Sequence, residues 1–69
     1  MGPVRLTVNG PERDGADGTT LVQLLTDLGL RVGAVVVEHN GTALLRSEVE
    51  QAELSDGDRL ELVRAVAGG

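Results

Sequence analysis

The chain has no cysteine, no lysine and no aromatic residue among its 69 residues. Without cysteine it can form no disulfide, offer no thiol nucleophile and build no cysteine-based metal site. Without Phe, Tyr or Trp it has no platform on which nucleotide bases, sugars or flavins could stack. Its apolar residues are mainly 11 leucines and ten valines, so the core must be aliphatic.

The chain is acidic, and its charge argues against some classes of binding partner. The formal net charge is −5, and all six basic residues are arginine. Nucleic acid is not an expected partner, because phosphate binding needs a net basic patch. No apolar run approaches the ~20 residues that span a bilayer, and no signal-peptide pattern is present. We expect one cytoplasmic domain over residues 1–69 and no membrane contact.

Two stretches near the N-terminus predict strands. Residues 4–8, VRLTV, alternate apolar and polar side chains as a half-buried strand does. Asn9 and Gly10 after them mark a tight turn. Residues 11–18, PERDGADG, have little to bury, so a return strand there could run only at the edge of a sheet.

The sequence TTLVQLLTDLGL predicts the main helix. Thr20 and Gln23 have the spacing of a capping box. Four leucines then recur on one helix face: Leu21, Leu24, Leu25 and Leu28. Gly29 stands where a helix ends in a left-handed residue, and Leu30 after it can pack back on Leu25.

The second half of the chain predicts three strands and one short helical turn. Residues 34–40, AVVVEHN, form a continuous β-branched run, which is typical of a strand buried on both faces. The remaining segments are a short strand at 42–46 after the Asn40-Gly41 turn, a capping box with a helical turn at 47–50, Leu54 returning to the core, a turn at 55–58, and a strand at 59–64 with Leu60 and Leu62 inward. This order predicts an α+β fold, a mixed sheet of four or five strands with one main helix packed across it.

No group of side chains in the sequence predicts a catalytic or metal site. His39 is the single histidine, and catalysis would require an orienting carboxylate and a nucleophile beside it. Glu38 is adjacent but points to the opposite face of a strand. Asp56 and Asp58 flank Gly57 in a turn, and turn chemistry explains them. We therefore expect a structural or solvent-facing His39, no bound metal or cofactor, and no enzyme activity.

The chain ends in RAVAGG, and residues 65–69 are predicted to form a flexible tail after the last strand. Five residues extend at most about 15–18 Å, and glycine leaves the carboxylate of Gly69 unhindered. Adenylation would turn this carboxylate into a mixed anhydride, from which a sulfur nucleophile could displace AMP. On composition alone, a frayed glycine-rich end is the simpler explanation.

Several phrases, taken in order, resemble the ThiS family, the sulfur-carrier proteins of thiamine biosynthesis. They are VNG after the first strand, TTLVQLLTDLGL on the helix, VVVEHNGTALLRSEV across the middle, LSDGDRLELV, and the terminal GG. The resemblance covers nearly the whole chain. It implies the ubiquitin-like β-grasp fold, which agrees with the element order given above.

The resemblance further implies a protein cosubstrate that carries sulfur on Gly69. A ThiF-type enzyme would adenylate Gly69 using ATP and magnesium. A cysteine desulfurase or another donor would supply the sulfur of a thiocarboxylate, and the thiazole synthase ThiG would receive it. Gly68, Ala67 and Val66 would thread into the partners' sites. Arg64, at the root of the tail, is a candidate docking residue, since a narrow channel that binds the end of the tail must also contact the residues that lead to it.

The chain also departs from the family pattern. It lacks an aromatic residue after the RS stretch, its second strand is unusually polar, and the third strand carries His39. Molybdopterin-synthase small subunits share the fold and the tail, although they are usually longer and have a proline-containing segment before the glycines. Other thiocarboxylate carriers, a ubiquitin-like modifier and a β-grasp interaction module remain alternatives.

Overall fold

The computed structural model describes residues 2–65, and these form one five-stranded mixed sheet, one main helix and one short helix. The elements in chain order are β1 (Val4–Val8), β2 (Glu12–Gly15), α1 (Leu21–Asp27), β3 (Val35–His39), β4 (Thr42–Ala43), α2 (Arg46–Gln51) and β5 (Arg59–Arg64). The strand order is β2-β1-β5-β3-β4, and β1 runs parallel to β5 while the other neighbours are antiparallel. The predicted α+β architecture is confirmed.

The polar second strand is an edge strand, as predicted. It covers Glu12–Gly15 and pairs with β1 alone. Three of its four residues are exposed. Charged side chains on an edge disfavour pairing with another chain, so a segment with little to bury is suited to this position.

The main helix has the ends that the sequence predicts. The Thr20 hydroxyl accepts a hydrogen bond from Gln23 N, and the Gln23 side chain accepts one from Thr20 N. At the other end Gly29 has a φ of 75°, and Leu30 N donates to Leu25 O over 2.8 Å. This is the Schellman arrangement, which satisfies the carbonyls of the last turn.

One residue of the predicted apolar helix face is not buried. Leu21, Leu24 and Leu25 lie in the core, but Leu28 is 37% exposed. Leu28 is the C-cap of α1, with a φ of −87° and a ψ of 0°. Because the chain leaves the helix there, its side chain lies at the rim of the core.

The core is aliphatic and lies between the helices and one face of the sheet. Eleven buried residues form it: Val4, Leu6, Leu21, Leu24, Leu25, Val35, Val37, Val49, Leu54, Leu60 and Leu62. Leu54, Leu60 and Leu62 are inward as predicted. Burial of one such side chain stabilises the fold by about 1.5–3 kcal/mol.

The prediction that the third strand is buried on both faces is wrong. Val35 and Val37 are buried, whereas Val36 between them is 49% exposed. Within residues 2–65 both helices cover the same face of the sheet, so alternate residues of β3 point to solvent. Val36 pairs across the sheet with Val63, which is also exposed.

The predicted boundaries between 42 and 50 are also wrong. The fourth strand ends at Ala43, and helix α2 already begins at Arg46. The N-cap is Leu45, whose backbone N donates to the Glu48 carboxylate over 2.7 Å. Ser47 therefore lies inside the first turn, because Glu48 makes the backward bond that the sequence pattern had assigned to Glu50.

The last strand is held in the middle of the sheet partly by an asparagine side chain. The β1–β5 ladder pairs only Thr7 with Arg59 and Val8 with Leu60. Asn9 extends it, since its Oδ1 accepts from Leu62 N over 2.7 Å and its Nδ2 donates to Leu62 O over 3.2 Å.

Two substitutions of Asn9 should distinguish the stability that comes from its side-chain hydrogen bonds from the stability that depends on its backbone conformation, which has a φ of 53°. We expect Asn9→Ala to lower the free energy of unfolding by about 2–3 kcal/mol, since it removes two hydrogen bonds and leaves alanine in a left-handed conformation. Asn9→Gly loses only the bonds and should be about 1 kcal/mol more stable than the alanine variant. Urea unfolding followed by far-UV circular dichroism measures both. Equal stability of all three proteins would contradict this role of Asn9.

Candidate functional site

The candidate site is the end of β5, from which the predicted reactive tail continues. Arg64 is exposed and is the last residue of the strand, opposite Val35 of β3. Ala65 N donates to Ala34 O over 2.9 Å, so the sheet holds the chain up to this point. The other predicted tail residues lie outside the described residues: Val66, Ala67, Gly68 and Gly69.

An open groove of about 600 Å³ lies beside Arg64, and we call it the tail-root groove. Its apolar lining consists of Val8, Pro11, Leu28, Leu30, Val35 and Leu62, and its polar lining of Asn9, Glu12, Arg13 and Arg64. It lies where the end of α1 and the β1–β2 turn leave the core uncovered. Sequence reasoning missed it, because its lining residues come from several separate segments of the chain.

A smaller depression of about 280 Å³ adjoins the tail-root groove on the other side of Arg64. Gly29, Leu30, Arg31, Ala34, Arg64 and Ala65 line it. Three of the six arginines of the chain therefore line the tail-root groove or the adjoining depression: Arg13, Arg31 and Arg64. None of them lies within 4.0 Å of a carboxylate of residues 2–65.

His39 is structural, and its partner is a carboxylate that the sequence had assigned only to a turn. His39 Nε2 lies 2.8 Å from Asp58 Oδ2, and both side chains are mostly buried. Asp58 is the last residue of the 55–58 turn and immediately precedes β5, and His39 is the last residue of β3. The signal that could have revealed the pair is the antiparallel β3–β5 register, in which His39 stands opposite Leu60.

Asp58 ties three segments together through its two carboxylate oxygens. Oδ2 accepts from Ser55 N over 2.8 Å as well as from His39, and Oδ1 accepts from Asn40 Nδ2 over 3.1 Å. Burial alone would raise the pKa of Asp58. The hydrogen bonds from Ser55, His39 and Asn40, together with positive charge on His39, outweigh it and hold the pKa of Asp58 below its ordinary value of 3.8.

The His39–Asp58 pair has the orienting contact of a catalytic dyad but no described nucleophile to serve. Asp58 engages Nε2, and Ser55 contributes its backbone N–H. Within residues 2–65 no three His, Cys, Asp or Glu side chains are placed to hold a metal ion, and no helix could cross a bilayer.

Comparisons with known proteins point to one family. The ThiS family model matches residues 6–69. The chain is 37% identical to the sulfur carrier protein ThiS of Thermus thermophilus over 62 residues, which are 90% of this chain and 95% of that protein. It is 36% identical over 66 residues to a thiazole synthase of Paramagnetospirillum magneticum, which covers 96% of this chain. The chain spans only about a fifth of the length of the thiazole synthases that it matches.

A solved structure supports the same fold. The crystal structure of a thiamine biosynthesis protein (ThiS) from Geobacter metallireducens matches with a TM-score of 0.77 and 35% sequence identity. The match covers 96% of this chain and 100% of that one. The predicted ubiquitin-like β-grasp is confirmed.

The Asp58 network should make stability depend on acid pH. We expect Asp58→Asn to cost about 2–3 kcal/mol at pH 7, because the new amide N–H₂ must face a donor already aimed at the carboxylate. A lowered pKa contributes stability above the ordinary value that is lost as pH falls through the folded value. The gap in stability between wild type and Asp58→Asn should therefore narrow as the pH falls through and below 3.8, the ordinary pKa of the carboxyl group.

Chemical unfolding at a series of pH values tests this expectation. Asp56→Asn is the matched control, since Asp56 accepts a single exposed bond from Arg5 N. It should cost about 1 kcal/mol or less at pH 7. A gap between wild type and Asp58→Asn that stays constant down to low pH would contradict the role of the charged carboxylate.

Proposed function

Because this chain belongs to the ThiS family, we propose that it is a sulfur carrier of thiamine biosynthesis that works through the carboxylate of Gly69. The observation that carries this proposal is the 37% identity to the Thermus thermophilus sulfur carrier, over 90% of this chain and 95% of that protein. A likeness over nearly the whole of both chains concerns the whole carrier and not a shared fragment.

The chemistry that we propose takes place at the C-terminus. The Gly69 carboxylate attacks the α-phosphorus of ATP, pyrophosphate leaves, and a mixed anhydride with AMP forms. A sulfur nucleophile then attacks the acyl carbon and displaces AMP. Hydrosulfide gives the thiocarboxylate directly, whereas a desulfurase persulfide gives an acyl disulfide, whose S–S bond a second thiol cleaves to release the thiocarboxylate and a disulfide. Glycine favours both steps, since no side chain hinders the acyl carbon.

The carrier is in this proposal a cosubstrate and not a catalyst. The described residues support it. In their one His–carboxylate pair, His39 Nε2 lies 2.8 Å from Asp58 Oδ2 and is already engaged by that carboxylate. ATP and magnesium then belong to a ThiF-type activating enzyme, and the sulfur comes from a cysteine desulfurase or another donor. All these partners would meet the carrier in the cytoplasm.

Thiazole synthase is the proposed acceptor of the sulfur. Two proteins with that name contain a segment that is 36% and 32% identical to 96% of this chain, and the segment makes up about a fifth of their length. A carrier-like segment and a synthase thus share one chain in these relatives. Sharing a chain raises the effective concentration of one partner for the other, and this supports an encounter of the two when they are separate.

The test is a conversion assay read by intact mass. We expect incubation with a ThiF-type enzyme, ATP, magnesium and a sulfur donor to raise the mass of the chain by the difference between one sulfur and one oxygen. The chain lacking Gly69 should show no gain, although its folded domain is unchanged. Subsequent addition of thiazole synthase and its small-molecule substrates should return the wild-type chain to its starting mass.

Three results would contradict the proposal in different ways. An unchanged mass with an activating enzyme that modifies its own carrier would exclude the carrier chemistry. A large conjugate on a lysine of another protein would indicate a ubiquitin-like modifier. A thiocarboxylate that thiazole synthase leaves intact would indicate another sulfur acceptor, such as molybdopterin synthase.

A further inference from the structure

We propose that the tail-root groove and its arginines bind a segment of the activating enzyme that combines an apolar side chain with carboxylates. This inference rests on the proposed function, since it concerns the enzyme that takes up the same tail. It goes beyond that function by assigning recognition to side chains of the folded domain.

The floor of the groove is aliphatic and fits an apolar side chain. Leu62 and Val35 come from the sheet, and Leu28 remains 37% exposed at the end of the helix. Asn9 is polar, but its amide group is bound to the backbone of Leu62 over 2.7 and 3.2 Å. The floor therefore has no polar group that needs a partner. An apolar side chain placed there would cover leucine surface that water now contacts.

The rim of the groove is basic in an acidic protein. Arg13 and Arg64 line it, Arg31 lines the adjoining depression, and no carboxylate of residues 2–65 lies within 4.0 Å of them. The one carboxylate in either lining is Glu12, which lies 3.8 Å from Arg5. With a net charge of −5 on the whole chain, this local excess of positive charge complements an acidic partner surface.

The arginines are too far from the terminal carboxylate to contact the ATP that would adenylate it. Gly69 lies five residues beyond Arg64, and an extended tail of that length spans about 17 Å. This is about twice the Debye length at physiological ionic strength. With the tail extended into an active site, the groove meets protein surface outside that site. The activating enzyme is the partner that must bind in every route, because the carboxylate is inert until it is adenylated.

The other exposed apolar surface is a weaker candidate for this acidic partner. Val36 and Val63 pair on the uncovered face of the sheet, but the next pair on that same face is Glu38 and Glu61. Two carboxylates side by side repel an acidic surface. Substitutions there provide a direct comparison with the groove.

The experiment measures ATP–pyrophosphate exchange by a ThiF-type enzyme as a function of carrier concentration. We expect Arg13→Glu and Arg64→Glu each to raise the KM for the carrier about tenfold, with kcat within about twofold of wild type. Arg59→Glu is the matched control, with the same charge change at the other end of β5, and should leave KM within about twofold. Raising the salt from about 0.05 M to about 0.5 M should raise the wild-type KM more than that of a variant carrying both Arg13→Glu and Arg64→Glu.

A second matched pair of variants tests the apolar part of the groove. Leu28→Gln should raise KM about fivefold, since an apolar side chain that the partner covers in the complex loses its contact. Leu45→Gln makes the same change at a leucine that is 70% exposed and outside the groove, and it should leave KM unchanged. Far-UV circular dichroism verifies that each variant is folded.

Several results would overturn the inference. One is a KM for the Arg13→Glu and Arg64→Glu variants equal to that of Arg59→Glu. Another is a rise in KM for Val36→Thr or Val63→Thr with none for the groove variants. Absence of exchange with the wild-type chain contradicts the proposed function itself, and a normal wild-type rate with unaffected groove variants contradicts this inference alone.

Discussion

The structure depends on the insertion of the last strand into the middle of the sheet. β5 pairs in parallel with β1, more than fifty residues earlier in the chain, and in antiparallel with β3. Its two inward leucines, Leu60 and Leu62, are therefore surrounded by core on both sides. This pairing also determines where the chain leaves the domain, because Arg64 must emerge beside the start of β3 and the end of α1. The root of the tail is thus attached to the most central strand of the fold.

Two asparagines bind this central strand from both of its neighbours. Asn9 and Asn40 each precede a glycine and have a φ of 53° and 51°. The side chain of Asn9 binds the backbone of Leu62 from the β1 side, and Asn40 Oδ1 accepts from Arg59 N over 2.8 Å from the β3 side. Asn40 also donates to Asp58. The Asn-Gly turns were predictable from the sequence, but their attachment to β5 was not, because it involves pairs up to 53 residues apart.

Local sequence patterns predicted most helices and strands correctly, whereas the wrong or missed predictions concern features that depend on residues distant in the chain. The capping box at Thr20 and the left-handed Gly29 are short-range features, and both are confirmed. Val36 was misplaced because a β-branched run does not reveal whether one or both faces of a strand are covered. The His39–Asp58 pair was missed because it requires the β3–β5 register. The tail-root groove was missed because it lies between residues from β1, β3, β5 and the end of α1, and no single segment encodes it.

The composition is compatible with the proposed function, in which the domain carries an activated terminus. An acyl adenylate reacts with amines and thiols, and this sequence contains no lysine and no cysteine. A basic docking surface built from lysine would add nucleophilic amines to the domain together with the positive charge. Arginine supplies the charge alone, because its guanidinium stays protonated in proteins. In the proposed docking, Arg13, Arg31 and Arg64 would therefore supply positive charge for an acidic partner without adding an amine to the domain.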